Sequence, residues 1–350
     1  MTSAIDLRSD TVTLPSPEMR DAMYQAELGD DVFGEDPTVT ALQELAAQRT
    51  GQEAALFVTS GTQGNLVAAL THTRRGDEVI CGDQCHVLLY EVAGCSALGG
   101  LQLRPVPSHR GELDLAAIRA TIRGENVHYP RTGLVTIENT HNRHSGAIVD
   151  VDSMRALVSL SHGAGVPVHV DGARIFNAAV ARGVSVAALM AGADSITFCL
   201  SKGLGCPVGS VLCGSRDFIA LARKYRKMLG AGMRQVGVLA AAGLYALNHM
   251  IDRLAEDHEN ARRLALGIAG IPGLFVDPEA IDTNIVIFGV QGGTPAAERF
   301  RADVANAGVK TGPPGADGRI RVVTHYGIDS GHTDRALAVF ARCAPLAPVR

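Results

Sequence analysis

Ser195-Ile-Thr-Phe-Cys-Leu-Ser-Lys202-Gly-Leu-Gly205 is an apolar, β-branched run that stops abruptly at a lysine followed by glycines. The composition is that of a buried strand, and the glycines mark the turn that ends it. Five further runs of this kind precede it: Ala54–Thr59, Glu78–Cys81, Leu101–Val106, Gly133–Glu138 and Val166–Val170. Between them lie helical segments such as Gly64–Leu70, Leu115–Ile122 and Val151–Ala164, the last two introduced by Asp114 and Asp150 as N-caps. Strands alternating with helices build βαβ units, so an α/β fold with a mostly parallel sheet is expected. In such sheets ligands bind at the carboxyl ends of the strands, which is where Lys202 is delivered. A long helical region, about Gln235 to Ile268, then leads into strand-like Asn284–Gly289 and Arg319–Thr324 around a helix at Ala296–Ala307. This grouping predicts a large domain over residues 1–250, N-terminal segment included, and a smaller C-terminal α+β domain over 251–350.

Lysine is scarce: only Lys202, Lys224, Lys227 and Lys310 occur in a Lys+Arg total of 32. A lysine after a strand is ordinarily a solvated loop residue. Set between apolar and glycine residues, Lys202 reads instead as a partly desolvated amine suited to a Schiff base. Val166-Pro-Val-His-Val-Asp171-Gly-Ala-Arg174 is a second apolar strand ending in an acid. Asp171 reads either as a helix cap or as a buried carboxylate whose partner is a protonated pyridine nitrogen. Phe57-Val-Thr-Ser60-Gly61-Thr62-Gln63-Gly64-Asn65 runs from a strand into small hydrogen-bonding residues and then an apolar helix, either a plain N-cap or a phosphate cradle at Ser60, Gly61 and Thr62. No nucleoside-triphosphate or dinucleotide fingerprint is present.

Composition excludes other classes. The hydrophobic fraction of 46% supports a sizeable core, and the formal charge of −4 without like-charge runs argues against nucleic acid or an anionic membrane as partner. The most apolar stretch, Val236 to Leu247, carries glycine and is too short to span a bilayer. An N-terminus without a long apolar stretch predicts a cytoplasmic protein. Seven cysteines, an odd number, argue against a disulfide scaffold. Cys81, Cys85 and His86 match no zinc spacing, and no metal is expected.

Several strings together carry a resemblance: Asp6-Leu-Arg-Ser-Asp-Thr-Val-Thr13, Gly29-Asp-Asp-Val-Phe-Gly-Glu-Asp-Pro-Thr38, Ser60-Gly-Thr-Gln63, Glu138-Asn-Thr-His-Asn142, His169-Val-Asp-Gly-Ala-Arg174, Leu200-Ser-Lys-Gly-Leu-Gly205 and Gly232-Met-Arg-Gln235. Nearly the whole chain resembles the L-threonine aldolases, enzymes of the aspartate-aminotransferase-like fold type I that use pyridoxal 5'-phosphate (PLP). The resemblance implies a PLP Schiff base at Lys202, Asp171 at the pyridine nitrogen, Ser60, Gly61 and Thr62 at the phosphate, and His86 against the ring face. It assigns Ser9, Arg174 and Arg321 to the substrate carboxylate, and His128, Glu91 and Tyr90 to the neighbourhood of the β-hydroxyl. Lys227 and Arg234 look like the basic pair that a neighbouring subunit supplies near the phosphate, in a homo-oligomer that is usually a tetramer. The chain departs from the family at Val92-Ala-Gly-Cys95, where a Gly-Gly pair is usual.

The implied reaction is retro-aldol cleavage of L-threonine or L-allo-threonine to glycine and acetaldehyde, with His86 or His128 taking the hydroxyl proton. Two alternatives stay open on the residues alone. One is a β-eliminating lyase or aminotransferase, because the cofactor anchor does not choose which Cα bond breaks. The other is a degenerate PLP-fold protein serving as a binding or scaffold module.

Overall fold

A computed structural model describes residues 4–345. Its centre is a seven-stranded sheet built from β1 (Ala54–Val58), β2 (Glu78–Gly82), β3 (Gln102–Val106), β4 (Thr132–Glu138), β5 (Val168–Asp171), β6 (Ser195–Cys199) and β7 (Ser210–Gly214). The order across the sheet is β1-β7-β6-β5-β4-β2-β3. Every pairing is parallel except those of β7, which lies antiparallel between β1 and β6. The six strands expected from the sequence are present, with ends shifted by a few residues; β7 was not expected.

Both faces of the sheet are covered, which is why its strands read as continuous apolar runs. Along β1, Leu56 and Val58 pack with Val67 and Ile219, whereas Ala55 and Phe57 face Leu42 and Ala46 on the other side. Asp114 caps the helix Leu115–Thr121 by accepting from the N–H groups of Ala116 and Ala117. Asp150 stands at the N-cap of Val151–Gly163 but makes no capping bond, because its carboxylate accepts from Arg182 Nε at 2.8 Å.

The expected single helical region at 235–268 is two helices, Gly237–His249 and Leu254–Ala269. The first packs on the helices Pro17–Tyr24 and Pro37–Thr50, and the second crosses to a separate apolar cluster, so the chain turns between them without a glycine or proline to announce it. That second cluster lies around an antiparallel sheet of β8 (Leu274–Phe275), β9 (Ile285–Val290) and β10 (Arg319–Val323), covered by the helices Leu254–Ala269, Gly293–Asn306 and Ser330–Cys343. Ile5 and Leu7 join this cluster, and Ile5–Asp6 pairs in parallel with Val309–Lys310. The pairing carries the following residues, Ser9 and Asp10, to the mouth of the central sheet. Among the described residues no helix is long and apolar enough to cross a membrane.

Candidate active site

The carboxyl ends of the parallel strands share one edge of the central sheet, and the loops leaving them surround a cavity of about 910 Å3. Ser60, His86, Glu138, Asp171 and Lys202 follow or end β1, β2, β4, β5 and β6, and all five line it.

Beyond β1, Ser60 is the extended N-cap of the helix Gly61–His72, its Oγ accepting from Gln63 N at 3.1 Å. The Gln63 side chain reaches back to accept from Thr59 N at 2.9 Å, fixing the entry to the helix. A Cβ on Gly61 would stand 2.9 Å from Cys199 Sγ, and one on Gly64 2.5 Å from Thr197 Cγ2. Only glycine lets this helix lie so close on β6. Its first-turn N–H groups at Gly61 and Thr62 are thereby presented at the cavity, a cradle for a phosphate.

Lys202 stands three residues past β6 in a turn closed by Gly205 N donating to Lys202 O at 2.8 Å, with Gly205 at φ +79°. Its amine makes no hydrogen bond or ion pair among the described residues. The Asp171 carboxylate accepts from Asn65 Nδ2 at 2.9 Å through Oδ2 and from Ala173 N at 3.2 Å through Oδ1. A basic lysine, a buried strand-end carboxylate and an anion-binding helix N-terminus open on one cavity, the donor set that PLP requires.

His86 begins a short helix, and its backbone N–H donates to Glu138 Oε2 at 2.6 Å. Its Nδ1 meets Glu91 Oε1 at 2.9 Å, and the same oxygen accepts from Asn65 Nδ2 at 2.8 Å. Burial lowers the His86 pKa, but the bond to Glu91 and the charge of Asp171 outweigh it and leave the imidazole raised above its ordinary value. Burial also raises Glu91 despite its bonds to His86 and Asn65. Glu138 is pushed up to about 7 by burial and by the Asp171 charge. Donor atoms of His86, Glu91 and Asp171 lie within 4.8 Å of one another, close enough for a cation, yet each is engaged with a protein partner.

Across the cavity, Arg174 donates through Nε and Nη2 to the two Asp10 carboxylate oxygens, both at 2.6 Å. Both residues are buried. Burial opposes the Asp10 charge, but the Arg174 guanidinium holds its carboxyl well below the usual carboxylate range, with Lys202 and Arg321 adding to the effect. Arg321 projects from β10 opposite the apolar face of Ile320 and Val322 and donates to Asn142 Oδ1 at 2.5 Å. Burial first, then the nearby Arg174 charge, lowers its pKa. Two crowded guanidinium groups with Ser9 beside them line the same cavity as Lys202, an arrangement able to receive an anion.

Tyr90 tilts on His86 with ring centroids 5.5 Å apart, and its hydroxyl accepts from Arg143 Nη1 at 2.8 Å. His128, by contrast, is exposed in the loop before β4 and does not line this cavity. Lys227 and Arg234 are likewise exposed and outside it, with Arg234 bonded to Asp30 at 3.2 Å. The departure at Val92 and Ala93 falls where both residues are left-handed, at φ 54°, a conformation that a Gly-Gly pair takes without strain. Four participants escaped the sequence reading: Asp10, Asn65, Glu138 and Asn142. Asn65 directly precedes the apolar run Leu66–Ala69, and Asp10, Glu138 and Asn142 stand in strings that carry the resemblance but were given no role there.

The family model for Beta-eliminating lyase matches residues 6–291. Low-specificity L-threonine aldolase 1 of Arabidopsis thaliana is 44% identical over 342 residues, covering 96% of this chain and 95% of that protein. The low specificity L-threonine aldolase of Escherichia coli (strain K12) is 44% identical over 327 residues, covering 93% and 94%. Among solved structures, a putative L-allo-threonine aldolase from Listeria monocytogenes superposes with TM-score 0.81 at 18% identity, covering 97% of this chain and 96% of that one. The fold is that of the fold-type-I enzymes, and the cofactor is PLP. With a match to the family model over most of its length and relatives of this identity along nearly all of it, the chain belongs to the low-specificity L-threonine aldolase family of the beta-eliminating lyases.

Proposed function

We propose that this chain cleaves the Cα–Cβ bond of L-threonine and L-allo-threonine, releasing glycine and acetaldehyde, in the cavity around Lys202. The observation that carries the reading is the convergence there of the PLP donor set, the His86–Glu91 pair and the Arg174–Arg321 anion site. Lys202 holds the cofactor covalently, Asp171 pairs with its pyridine nitrogen, and Ser60, Gly61 and Thr62 receive its phosphate. Bound there, the protonated ring supplies an electron sink for the pair left at Cα.

Arg174, Arg321 and Ser9 would hold the substrate carboxylate and so select which bond at Cα is presented for cleavage. Asp10 occupies two donors of Arg174 and leaves Nη1 for the ligand. Glu91 accepts from His86 Nδ1–H, so the lone pair of neutral His86 is at Nε2, the atom that takes the β-hydroxyl proton. Tyr90 closes the same side, whereas His128, exposed outside this cavity, would reach the substrate as a second base only across a subunit interface.

The working form is a homo-oligomer, a tetramer in our reading, in which Lys227 and Arg234 serve the phosphate of a neighbouring subunit. Their exposure supports this, as do solvent-facing Leu14 (76%), Tyr24 (85%), Phe33 (74%) and Met228 (72%). Seven free cysteines, of which only Cys343 is not buried, favour a reducing compartment such as the cytoplasm. The chain divides functionally where the helices Gly237–His249 and Leu254–Ala269 meet, the smaller part supplying Arg321.

Acetaldehyde release from each diastereomer by the parent and by His86→Asn tests the reading. Release from both, reduced in the variant with PLP retained, is expected; undiminished release would remove His86 as the base and leave His128.

A further inference from the structure

Behind Asp171 a line of polar side chains, buried except for half-buried His72, runs through the layer between β5, β6 and the helix Gly61–His72. His72 Nε2 lies 2.8 Å from Ser195 Oγ, and Ser195 Oγ lies 2.8 Å from His169 Nδ1. His169 Nε2 lies 3.2 Å from Asn65 Oδ1, and Asn65 Nδ2 reaches Asp171 and Glu91 at 2.9 and 2.8 Å. Ser195 opens β6 directly across from His169 on β5. His72 ends its helix beside a second cavity of about 550 Å3, lined by Glu53, Pro167, Asp194 and Phe218, at the opposite edge of the sheet.

Donor and acceptor counting gives the line one direction. Asn65 uses both amide hydrogens on carboxylate oxygens, so its Oδ1 accepts and His169 Nε2 carries a proton. Burial lowers His169 to about 3 and His72 to about 4, so both imidazoles are neutral. His169 Nδ1 then accepts from the Ser195 hydroxyl, and Ser195 Oγ accepts from His72 Nε2–H. Each bond from His72 to Asn65 thus points toward the amide, which donates to Asp171 and Glu91. Apolar side chains at these positions would spare the desolvation cost, so a polar chain kept here argues for a task at its far end.

We propose that His72, Ser195 and His169 are positioning residues that lock the Asn65 amide in the orientation that donates to Asp171, holding that carboxylate in place for the pyridine nitrogen. If Ser195 is lost, His169 can move its proton to Nδ1, and Asn65 is freed to turn its oxygen toward Asp171. The proposal rests on the assignment of Asp171 to the pyridine nitrogen.

The test compares Ser195→Ala, His169→Leu, His169→Gln and Asp171→Asn holoenzymes for PLP affinity, the pH dependence of the bound cofactor's visible absorbance, and thermal unfolding. Ser195→Ala removes one oxygen and should weaken PLP binding about tenfold, a loss expected of one hydrogen bond serving a charged group. It should shift the absorbance titration in the same direction as Asp171→Asn, with His169→Leu doing the same and His169→Gln restoring part of the shift. If Asp171→Asn leaves the titration unchanged, the pyridine assignment fails. If Asp171→Asn shifts it and folded Ser195→Ala does not, whether or not its melting point falls, the positioning role is overturned; Ser195→Ala decides the matter even if His169→Leu does not fold.

Discussion

Replacing Asp10 by Asn removes the negative half of a buried ion pair while keeping the side chain's shape. Two hydrogen bonds of 2.6 Å tie this carboxylate to Arg174, and the Asp10 side chain itself has no surface open to water. An asparagine keeps one acceptor and turns its NH2 toward a guanidinium N–H, leaving the Arg174 charge unopposed beside Arg321. Breaking a buried pair from one side costs about 3–5 kcal/mol, a large share of a stability on the order of 5–15 kcal/mol. At an m-value near the upper end for small proteins, about 3 kcal/mol/M, the urea midpoint falls by on the order of 1 M. The assay is urea unfolding at fixed protein and PLP concentration, since bound cofactor contributes to stability. Removing both charges, in Asp10→Asn with Arg174→Leu, should recover part of the loss, as the orphaned charge is then gone. The folded Asp10 carboxyl lies below its unfolded value of about 3.9, so the pair's contribution is complete above that value and lost as pH falls through the folded one. The gap between parent and variant therefore stays constant from about pH 5 to 8 and closes only in acid. An unchanged midpoint for Asp10→Asn at neutral pH would refute this account of the pair.

Other expectations follow from the same geometry. In Lys202→Ala, borohydride reduction should no longer fix the cofactor mass to the chain, and turnover should vanish. Glu91→Gln withdraws the charge that raises His86, so the acidic limb of kcat/KM should move to lower pH, with a limb at higher pH counting against the pairing. Arg321→Leu should raise KM for threonine roughly 10–100-fold, the loss of one charge-assisted carboxylate contact of about 1.5–3 kcal/mol, with PLP still bound. Val92→Gly should stabilise the chain by about 1 kcal/mol in thermal unfolding, because a β-branched residue at φ 54° is strained and its side chain, 92% exposed, packs on little.

What the sequence made legible was local. Lys202, Asp171 and Ser60–Thr62 each follow an apolar strand, so the parallel-sheet rule alone places them on one edge. Arg321 was visible only through the resemblance; in the fold, alternation along β10 buries Ile320 and Val322 and turns Arg321 to the cavity. Long-range pairings left no such mark. Asp10 meets Arg174 because Ile5–Asp6 pairs beside Val309–Lys310, and Glu91 meets Asn65 across two loops. The Ser210–Gly214 strand was hidden because its antiparallel insertion follows a glycine-rich turn that reads as loop. His128 entered by likeness, and its exposed loop lies outside the cavity.

The central claim is that this cavity breaks Cα–Cβ, and the most direct measurement is a product balance from L-threonine and L-allo-threonine with PLP present. Glycine and acetaldehyde in equal amounts, abolished in Lys202→Ala, is the predicted result. Ammonia with a 2-oxo acid, and no aldehyde from either diastereomer, would contradict it and make the chain an eliminating lyase.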